Sequence, residues 1–314
     1  MKNIAFLFPG QGAQYPGMGK DFFDAFEIAR HTFEEADDLL SFHLSQVIFE
    51  GPAALLTETR YSQAAIFVNS MAMMRTLQEL LPELIPAVCS GLSLGEYTAL
   101  CASGRLSFAE TLRLIQLRGE YLNDACVRTK GSMSAVLGLE AQDVEEAIRS
   151  IPQVWIANFN CPGQTVISGT HDGIRAAGEV LKQKGAKRLI PLQVQGAFHS
   201  RLMQSAQDRL KFRIAEANIV DSATGFVMNV TGSYVDGIDP VKDNLTRQVT
   251  HSVRWEQGVR AMMEKGVSLY LEIGCGKTLT GMNKKMGMTQ PFFSIEKVCD
   301  LDGVARQIEG VVGI

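Results

Sequence analysis

The pentapeptide Gly91-Leu92-Ser93-Leu94-Gly95 constrains the fold of this chain most strongly, because it matches the pattern G-x-S-x-G. A short strand is predicted directly before it, over residues 87–90, and a helix begins directly after it at Leu94. In this strand-turn-helix context the glycines allow a turn too tight for side chains, which exposes the serine hydroxyl. The pattern predicts Ser93 as a nucleophile and the Leu94 amide, at a helix N-terminus, as an oxyanion donor. A chance match in a chain with 29 glycines is the alternative.

Predicted strands and helices alternate along the 314 residues, which indicates an α/β fold. Between residues 129 and 195 their order is β-α-β-β-α-β, the ferredoxin-like unit. Because α/β patterning resumes afterwards, this unit is predicted to be an insertion. We therefore expect a large subdomain of residues 1–128 and 197–314, and a small ferredoxin-like subdomain of residues 129–196.

Composition excludes several classes of function. The formal net charge of -4 gives no overall basic surplus, so no nucleic-acid partner is expected. No apolar run approaches the roughly 18 residues that a membrane span needs. The six cysteines form no C-x-x-C and no histidine stands at zinc-site spacing, so we expect reduced thiols, no metal and a cytoplasmic location.

A nucleophilic serine needs a general base, and His199 is the candidate among five histidines. His199 is predicted to open a helix over residues 199–217 and to face its apolar stripe. Because a helix N-terminus disfavours the imidazolium form, this histidine should stay neutral and able to accept a proton. A hydrogen-bonded core histidine is the alternative interpretation.

A glycine-rich loop, Gly10-Gln11-Gly12-Ala13-Gln14-Tyr15, follows the first predicted strand. The dinucleotide-binding pattern requires glycine at the sixth position, where this chain has Tyr15. The P-loop pattern also fails, because Leu271 stands where it requires the first glycine before Gly276-Lys277-Thr278. In an acyl-transfer enzyme, a backbone amide near Gln11 could instead be the second oxyanion donor.

Arg118 is predicted to lie on the apolar stripe of a helix that begins near Ser107. An unpaired buried charge costs several kcal/mol, so this guanidinium needs a partner. A protein carboxylate is one candidate, and a substrate carboxylate bound by the guanidinium fork is the other.

Six segments together resemble the malonyl-CoA:acyl carrier protein transacylase family, and the resemblance runs essentially from end to end. These segments are residues 8–14, 91–97, 117–119, 157–164, 196–200 and 272–277. The resemblance implies an α/β-hydrolase-like large subdomain with an inserted ferredoxin-like small subdomain. It implies Ser93 as nucleophile and His199 as its base, oriented by the backbone carbonyl of Gln248.

The resemblance also implies how the substrate is bound. The amides of Gln11 and Leu94 would form the oxyanion hole, and Arg118 would hold the malonyl carboxylate. Gln63 matches a glutamine near the site, and Phe198 stands where malonyl-selective members carry an aromatic that crowds an α-methyl group.

The implied reaction transfers a malonyl group from malonyl-CoA to the phosphopantetheine thiol of acyl carrier protein, through a malonyl-Ser93 ester. It would serve fatty-acid or polyketide synthesis, with malonyl-CoA as a substrate, no cofactor and a monomeric enzyme. Carrier proteins are typically acidic, so a basic rim is expected. Its candidate residues are Lys184, Lys187, Arg188, Arg201, Lys284 and Lys285.

One residue departs from the family pattern, because Leu92 replaces the usual histidine before the serine. That neighbour is not the general base, so the nucleophilic chemistry should survive while acyl positioning or acyl-enzyme lifetime changes. The rival functions are an α/β serine esterase or thioesterase, a non-catalytic scaffold in a synthase complex, and a nucleotide-binding module. An esterase would normally show an Asp-oriented histidine and no buried arginine.

Overall fold

A computed structural model describes the backbone of residues 3–312 and the side chains of residues 3–308. Residues 1–2 and 313–314, the outer ends of the predicted large subdomain, lie outside the described residues. The strands are β1 (Asn3–Phe8), β2 (Val88–Gly91), β3 (Gly131–Leu137), β4 (Val154–Cys161), β5 (Gln164–Thr170), β6 (Arg188–Pro191), β7 (Gly225–Met228), β8 (Ser233–Tyr234), β9 (Val253–Arg254), β10 (Val267–Ile273) and β11 (Phe292–Ile295).

The helices alternate with these strands over most of the chain. They are α1 (Lys20–Ala25), α2 (Glu27–Leu40), α3 (Leu44–Glu50), α4 (Ala53–Thr57), α5 (Thr59–Leu80), α6 (Leu94–Ala102), α7 (Phe108–Thr129), α8 (Ala141–Ile148), α9 (His171–Gln183), α10 (Gln204–Glu216), α11 (Ile238–Arg247), α12 (Trp255–Glu264), α13 (Thr278–Lys284) and α14 (Asp300–Val312). Two 3-10 turns, Arg201–Met203 and Gln248–Thr250, precede α10 and follow α11.

The large sheet has the strand order β11-β10-β1-β2-β7-β8, and every neighbouring pair except β7–β8 is parallel. Strand β1 is central, and its residues from Ile4 to Phe8 are buried, as expected for a parallel strand covered on both faces. In the register Phe8 pairs with Gly91, so β1 and β2 end side by side. The glycine-rich loop and the serine turn therefore lie together at the carboxyl edge of the sheet, where ligands bind in such folds.

The small sheet has the order β6-β3-β5-β4-β9, and every pair among the four strands β3 to β6 is antiparallel. With α8 and α9 they form the predicted β-α-β-β-α-β unit, which confirms the ferredoxin-like subdomain. Strand β9 comes from a later part of the chain and pairs in parallel with β4, which ties the small sheet to the large subdomain. The exact boundaries at residues 129 and 196 stay a prediction.

The helix predicted over residues 199–217 was wrong at its start, because α10 begins only at Gln204. His199 lies before the turn Arg201–Met203 and has a backbone φ of +58°. Ser200 caps that turn, since its hydroxyl oxygen accepts a hydrogen bond from the Leu202 amide at 3.3 Å. His199 is thus held by a loop and does not stand at the N-terminus of α10, as the sequence had predicted.

In the described part of the chain, no helix has the length and apolar character to cross a membrane.

Candidate active site

Ser93 occupies a strained turn between β2 and α6, with φ 55° and ψ -102°. A non-glycine residue in such a conformation costs about 1–3 kcal/mol and persists only where its surroundings enforce it. The surroundings here are backbone atoms in close approach. A Cβ atom on Gly95 would lie 2.1 Å from the Phe8 carbonyl oxygen, and one on Gly91 would lie 2.1 Å from the Gly95 carbonyl. Both motif glycines are therefore required for packing.

The imidazole of His199 contacts Ser93, with 2.8 Å between Nε2 and the serine Oγ. Its other nitrogen, Nδ1, lies 2.9 Å from the backbone carbonyl oxygen of Gln248. Because a carbonyl can only accept, Nδ1 must carry the proton, and Nε2 is left free to accept one from the serine. The structure thus brings Ser93 and His199 together, with a carbonyl in the place that a carboxylate takes in many serine hydrolases.

Burial, together with the positive charge of nearby Arg118, lowers the pKa of His199 to about 4. The imidazole is therefore neutral at physiological pH. The neutral state of His199 was also predicted from the sequence. It results from burial and from the charge of Arg118, and not from a helix terminus.

Arg118 lies on the buried face of α7, as its position on the apolar stripe predicts, and is only 2% exposed. Its Nη2 donates to Ser93 Oγ at 3.1 Å and to the Gln248 side-chain oxygen at 2.9 Å. Its Nη1 donates to the Gln63 side-chain oxygen at 2.6 Å. Gln63 lies near the start of α5, and Gln248 begins a 3-10 turn.

No carboxylate pairs with Arg118 within 4.0 Å among the described residues. Its Nε is buried and has no hydrogen-bond partner there. Desolvation by burial lowers the pKa of the Arg118 guanidinium. Of the two partners that the sequence leaves open, a directly paired protein carboxylate is therefore not what the structure shows.

Glu96 is a buried acid that was not predicted from the sequence, and it stabilises this arrangement through hydrogen bonds. Glu96 accepts hydrogen bonds from the Asn229 amide, at 2.7 Å, and from the Gln248 side-chain amide. Asn229 in turn accepts from the Ser93 amide at 2.7 Å, and Gln248 also donates to the Ser93 carbonyl at 2.8 Å. One carboxylate thus holds the two residues that fix the backbone of the nucleophile.

Burial raises the pKa of Glu96 to about 7. The sequence does contain an indication of this role, because Glu96 lies in the first turn of α6 and is followed by apolar residues. Burying an acidic side chain there costs free energy unless it has hydrogen-bond partners. Asn229 follows the short strand β7, and no pattern in the sequence distinguishes it.

The glycine-rich loop lies against the serine turn, since a Cβ atom on Gly10 would lie 2.5 Å from the Leu92 carbonyl oxygen. The Gln11 side chain is within 3.4 Å of hydrogen-bond partners on Thr59 and Gln63, both on α5. Neither the Gln11 nor the Leu94 backbone amide donates to an acceptor within the described residues. Their role as oxyanion donors stays a prediction.

A cavity of about 290 Å³ opens over Ser93 between the two sheets. The large subdomain contributes Gln11, Gln63, Leu92, Ser93, Arg118, Phe198 and His199 to its walls, and the small sheet contributes Met133, Ala135, Asn158, Asn160, Gln164 and Val166. Phe198 is 8% exposed and Leu92 is partly buried. The cavity therefore gathers the predicted substrate-binding side chains around one mainly apolar space.

No group of three histidine, cysteine or acidic side chains that could hold a metal ion occurs among residues 3–308. The polar atoms around Ser93 are amide, guanidinium and imidazole groups, which suit a carbonyl and a carboxylate substrate and not a divalent cation.

Comparison with known proteins shows the same organisation elsewhere. Residues 5–297 match the family model described as "Acyl transferase domain". The chain is 40% identical over 290 residues to the malonyl CoA-acyl carrier protein transacylase of Bacillus subtilis, covering 91% of each chain. It is 35% identical over 289 residues to the Escherichia coli K12 protein of that name, covering 91% of this chain and 93% of the other.

Solved structures agree with the sequence comparison. One matching chain belongs to the structure described as "PlMCAT:AntF (holo): type II PKS acyl-carrier protein in complex with its malonyl-transacylase". The match has a TM-score of 0.94 and 34% identity, over 97% of this chain and 99% of the other. The Streptococcus pneumoniae MCAT structure matches with a TM-score of 0.92 and 38% identity, over 97% of this chain and all of the other.

Proposed function

This chain belongs to the acyl transferase family that includes the malonyl CoA-acyl carrier protein transacylases, and on that premise we propose the reaction and the role of each residue. It is an acyltransferase that moves a malonyl group from malonyl-CoA to the phosphopantetheine thiol of acyl carrier protein. The transfer proceeds through a malonyl ester on Ser93 and serves fatty-acid or polyketide synthesis.

The observation that carries this assignment is a buried guanidinium beside the nucleophile without a paired carboxylate. Arg118 is within hydrogen-bond distance of Ser93 Oγ, at 3.1 Å, and its described neighbours at that distance are neutral. An acyl group with a distal carboxylate supplies the missing negative charge, and the guanidinium fork can bind it through two parallel hydrogen bonds. An acetyl group has no such anion to offer.

In the first half-reaction, Ser93 Oγ attacks the thioester carbonyl while His199 Nε2 takes the serine proton. The carbonyl oxygen becomes an oxyanion, which the amides of Gln11 and Leu94 stabilise; in comparable sites one donor is worth about 10²–10³ in rate. The carbon–sulfur bond then breaks, and the coenzyme A sulfur receives the proton from His199. Malonyl remains as an ester on Ser93 with its carboxylate held by Arg118.

In the second half-reaction, the carrier thiol gives its proton to His199 and attacks the ester carbonyl. The same amides bind the second oxyanion. The bond between the carbonyl carbon and Ser93 Oγ breaks, and the serine recovers its proton from His199. Gln248 keeps the imidazole in the required tautomer throughout, because its carbonyl accepts from Nδ1.

Phe198 and Leu92 are proposed to shape the acyl end of the cavity. Phe198 lines it next to His199 and limits the space for an α-methyl branch. Leu92 lines it beside Ser93, so an apolar side chain stands where the family usually has histidine. Gln63 positions Arg118 by accepting its Nη1 hydrogen bond.

The rival function, an α/β serine esterase or thioesterase, fits the geometry less well. The residue that orients His199 is a backbone carbonyl, and a buried arginine adjoins the nucleophile. Both features differ from those expected of an esterase.

The proposal includes the conditions under which the enzyme acts. We propose that malonyl-CoA is consumed as a substrate, that no cofactor or nucleic acid takes part, and that the enzyme acts as a cytoplasmic monomer.

The test of this function is a comparison of carrier loading with ester hydrolysis. The protein is incubated with malonyl-CoA and phosphopantetheinylated carrier protein, and separately with p-nitrophenyl esters. We expect malonyl carrier to accumulate many times faster than water releases malonate or p-nitrophenol. Hydrolysis that outpaces carrier loading would reassign the protein to the esterase class.

A further inference from the structure

Strand β2 pairs in parallel with β7, and this pairing ends just before the nucleophile. The Gly225 amide at the start of β7 donates to the Ala87 carbonyl at 2.9 Å. Hydrogen bonds along a parallel pair are evenly spaced and recur at every second residue of each strand. Four residues further along both strands, the same pattern would join the backbone amide of Asn229 to the Gly91 carbonyl and the Asn229 carbonyl to the Ser93 amide.

The side chain of Asn229 makes these two hydrogen bonds in place of its backbone. Its Nδ2 donates to the Gly91 carbonyl at 2.8 Å, and its Oδ1 accepts from the Ser93 amide at 2.7 Å. The backbone of Asn229 bonds elsewhere, because its amide donates to Glu96 at 2.7 Å and its carbonyl accepts from the Arg254 amide at 2.8 Å. Asn229 is only 3% exposed, so these hydrogen bonds are shielded from water.

We propose that Asn229 is a positioning residue for acylation of Ser93, and that its side-chain amide holds the nucleophile in its strained turn. This inference rests on the proposed function, since malonylation of Ser93 is the reaction that it concerns. A residue with φ 55° and ψ -102° persists only where its surroundings enforce it. The chain turns away from β7 at this point, so a side chain that offers both a donor and an acceptor is needed to satisfy the backbone on the two sides of the bend.

The hydrogen bond to Asn229 also decides which backbone amides can face the acyl oxygen. The Ser93 amide already donates to Asn229 Oδ1, so it is not available to an oxyanion. The Leu94 amide, which is next along the chain, has no acceptor in the part of the chain that the structure describes. A donor stabilises the transition state only if it is aimed in advance at the developing charge. By fixing the peptide groups around Ser93, Asn229 sets the direction of the free Leu94 amide.

Asn229 also connects the turn at Ser93 with the small sheet. Its carbonyl accepts from Arg254 of β9, and Arg254 is the register partner of Phe159 in β4. Asn158, the preceding residue of β4, lines the cavity over Ser93. The nucleophile and the opposite wall of the cavity are therefore joined through the hydrogen bonds of one asparagine.

The experiment compares Asn229→Ala and Asn229→Leu with the control Asn244→Ala. Asn244 is also buried, at 6% exposure, and its Nδ2 donates to the Pro240 carbonyl at 2.8 Å within α11. Leucine fills the volume that alanine leaves empty, so a variant that loses its cooperative thermal unfolding can be replaced by the other. Malonylation by malonyl-CoA without carrier is followed by rapid quench over a range of concentrations. Labelling by a fluorophosphonate, which reacts with activated serines and contains neither a carboxylate nor coenzyme A, is measured in parallel.

We expect both Asn229 variants to lower the maximal rate of malonylation and the rate of fluorophosphonate labelling about a hundredfold relative to Asn244→Ala, since a small misplacement of reacting atoms costs about that factor. The malonyl-CoA concentration that gives half the maximal rate should stay within about twofold of the control, because the lost hydrogen bonds do not contact the substrate.

Rates equal to those of Asn244→Ala would overturn the proposal. A raised half-saturating concentration with an unchanged maximal rate would overturn it as well and assign Asn229 to substrate binding. An unaltered protein that the fluorophosphonate labels but malonyl-CoA does not acylate would contradict the proposed function, and the labelling rates alone would then decide the role of Asn229.

Discussion

Arg118 is a buried cation whose hydrogen-bonding neighbours are two glutamines and the catalytic hydroxyl. A charged group in this position imposes a requirement on the substrate, because the bound acyl group must carry the opposite charge or leave the guanidinium uncompensated. Selectivity for a diacid is therefore expected to reside in one residue.

Replacing that residue should separate binding of the acyl group from the chemistry. Arg118→Ala is expected to lower kcat/KM for malonyl-CoA by about a hundredfold or more, since hydrogen bonds to charged groups contribute about 1.5–3 kcal/mol each. Acetyl loading should be retained or rise. Arg118→Lys, which keeps the charge but loses the fork, should recover only part of the malonyl activity. Stopped-time assays with both thioesters measure the ratio, and an unchanged ratio would remove the carboxylate role.

Single residues differed in how far the sequence could predict them. The G-x-S-x-G pattern and the apolar stripe of α7 predicted the places of Ser93 and Arg118, because both depend on local periodicity. His199 was identified as the base, although the predicted helix start at this residue was wrong. The residue lies in a loop with a left-handed backbone conformation, which leaves no periodic pattern in the sequence. The contacts of Gln248 depend on a turn far along the chain, and only the family resemblance pointed to them.

At the scale of secondary structure, the site depends on how α6, β7 and the turn Gln248–Thr250 are joined. Glu96 of α6 is the shared acceptor, and it is fully buried. A carboxylate offers two acceptor oxygens to the two donors, whereas an amide offers one. The position of the nucleophile therefore depends on Glu96. Of the predicted site residues, the Glu96 side chain forms a hydrogen bond only with Gln248 among the described residues.

Glu96→Gln is expected to leave one buried donor without an acceptor, which costs about 1–3 kcal/mol. We expect kcat for malonyl transfer to fall about tenfold, with a smaller change in the KM for malonyl-CoA. Glu120→Gln, at an exposed position of α7, is the matched control. Steady-state kinetics of the two variants measure the difference. Equal kcat values would show that Glu96 has no positioning role.

The long buried strands and helices were predictable, whereas the three short strands β7, β8 and β9 were not. Apolar patterns predict a strand over residues 4–8, a helix over residues 63–81 and a helix beginning at Ser107, and β1, α5 and α7 agree with these bounds within four residues. Strands β7, β8 and β9 have two to four residues, too few for any periodicity to appear. Pairing of β9 with β4 is also a long-range contact that local sequence does not encode.

On the scale of the whole molecule, two buried titratable groups affect folding in opposite directions with pH. The pKa of His199 falls from 6.5 to about 4 on folding, so the unfolded chain binds the extra proton and stability rises with pH between these values. The pKa of Glu96 rises from 4.5 to about 7, so the native state binds the extra proton and stability falls as pH rises through this window.

Removing the acid should therefore change the slope of stability against pH. The free energy of unfolding of the unaltered protein, relative to Glu96→Gln, is expected to be highest below about pH 4.5 and to decrease as pH rises to about 7. Urea denaturation across this range measures the difference, with Glu120→Gln as the reference for a constant offset. A pH-independent difference for Glu96→Gln would contradict the buried, proton-binding carboxyl.

The overall architecture was predictable from the order of elements, because a β-α-β-β-α-β unit inside an α/β chain can form a separate small sheet. The cavity between the two sheets was not, since its walls come from segments that are distant in sequence. This cavity holds one hydroxyl between a neutral imidazole and an uncompensated guanidinium, an arrangement that favours acylation of Ser93 by a diacid.

The role of this arrangement is tested by intact-mass spectrometry after brief incubation with malonyl-CoA, methylmalonyl-CoA and acetyl-CoA. We predict one malonyl group per chain, located on Ser93 by peptide mapping, with malonyl preferred over both competitors. Ser93→Ala should acquire none. A malonyl adduct that persists in Ser93→Ala, or an unaltered protein that acquires acetyl as readily as malonyl, would contradict it.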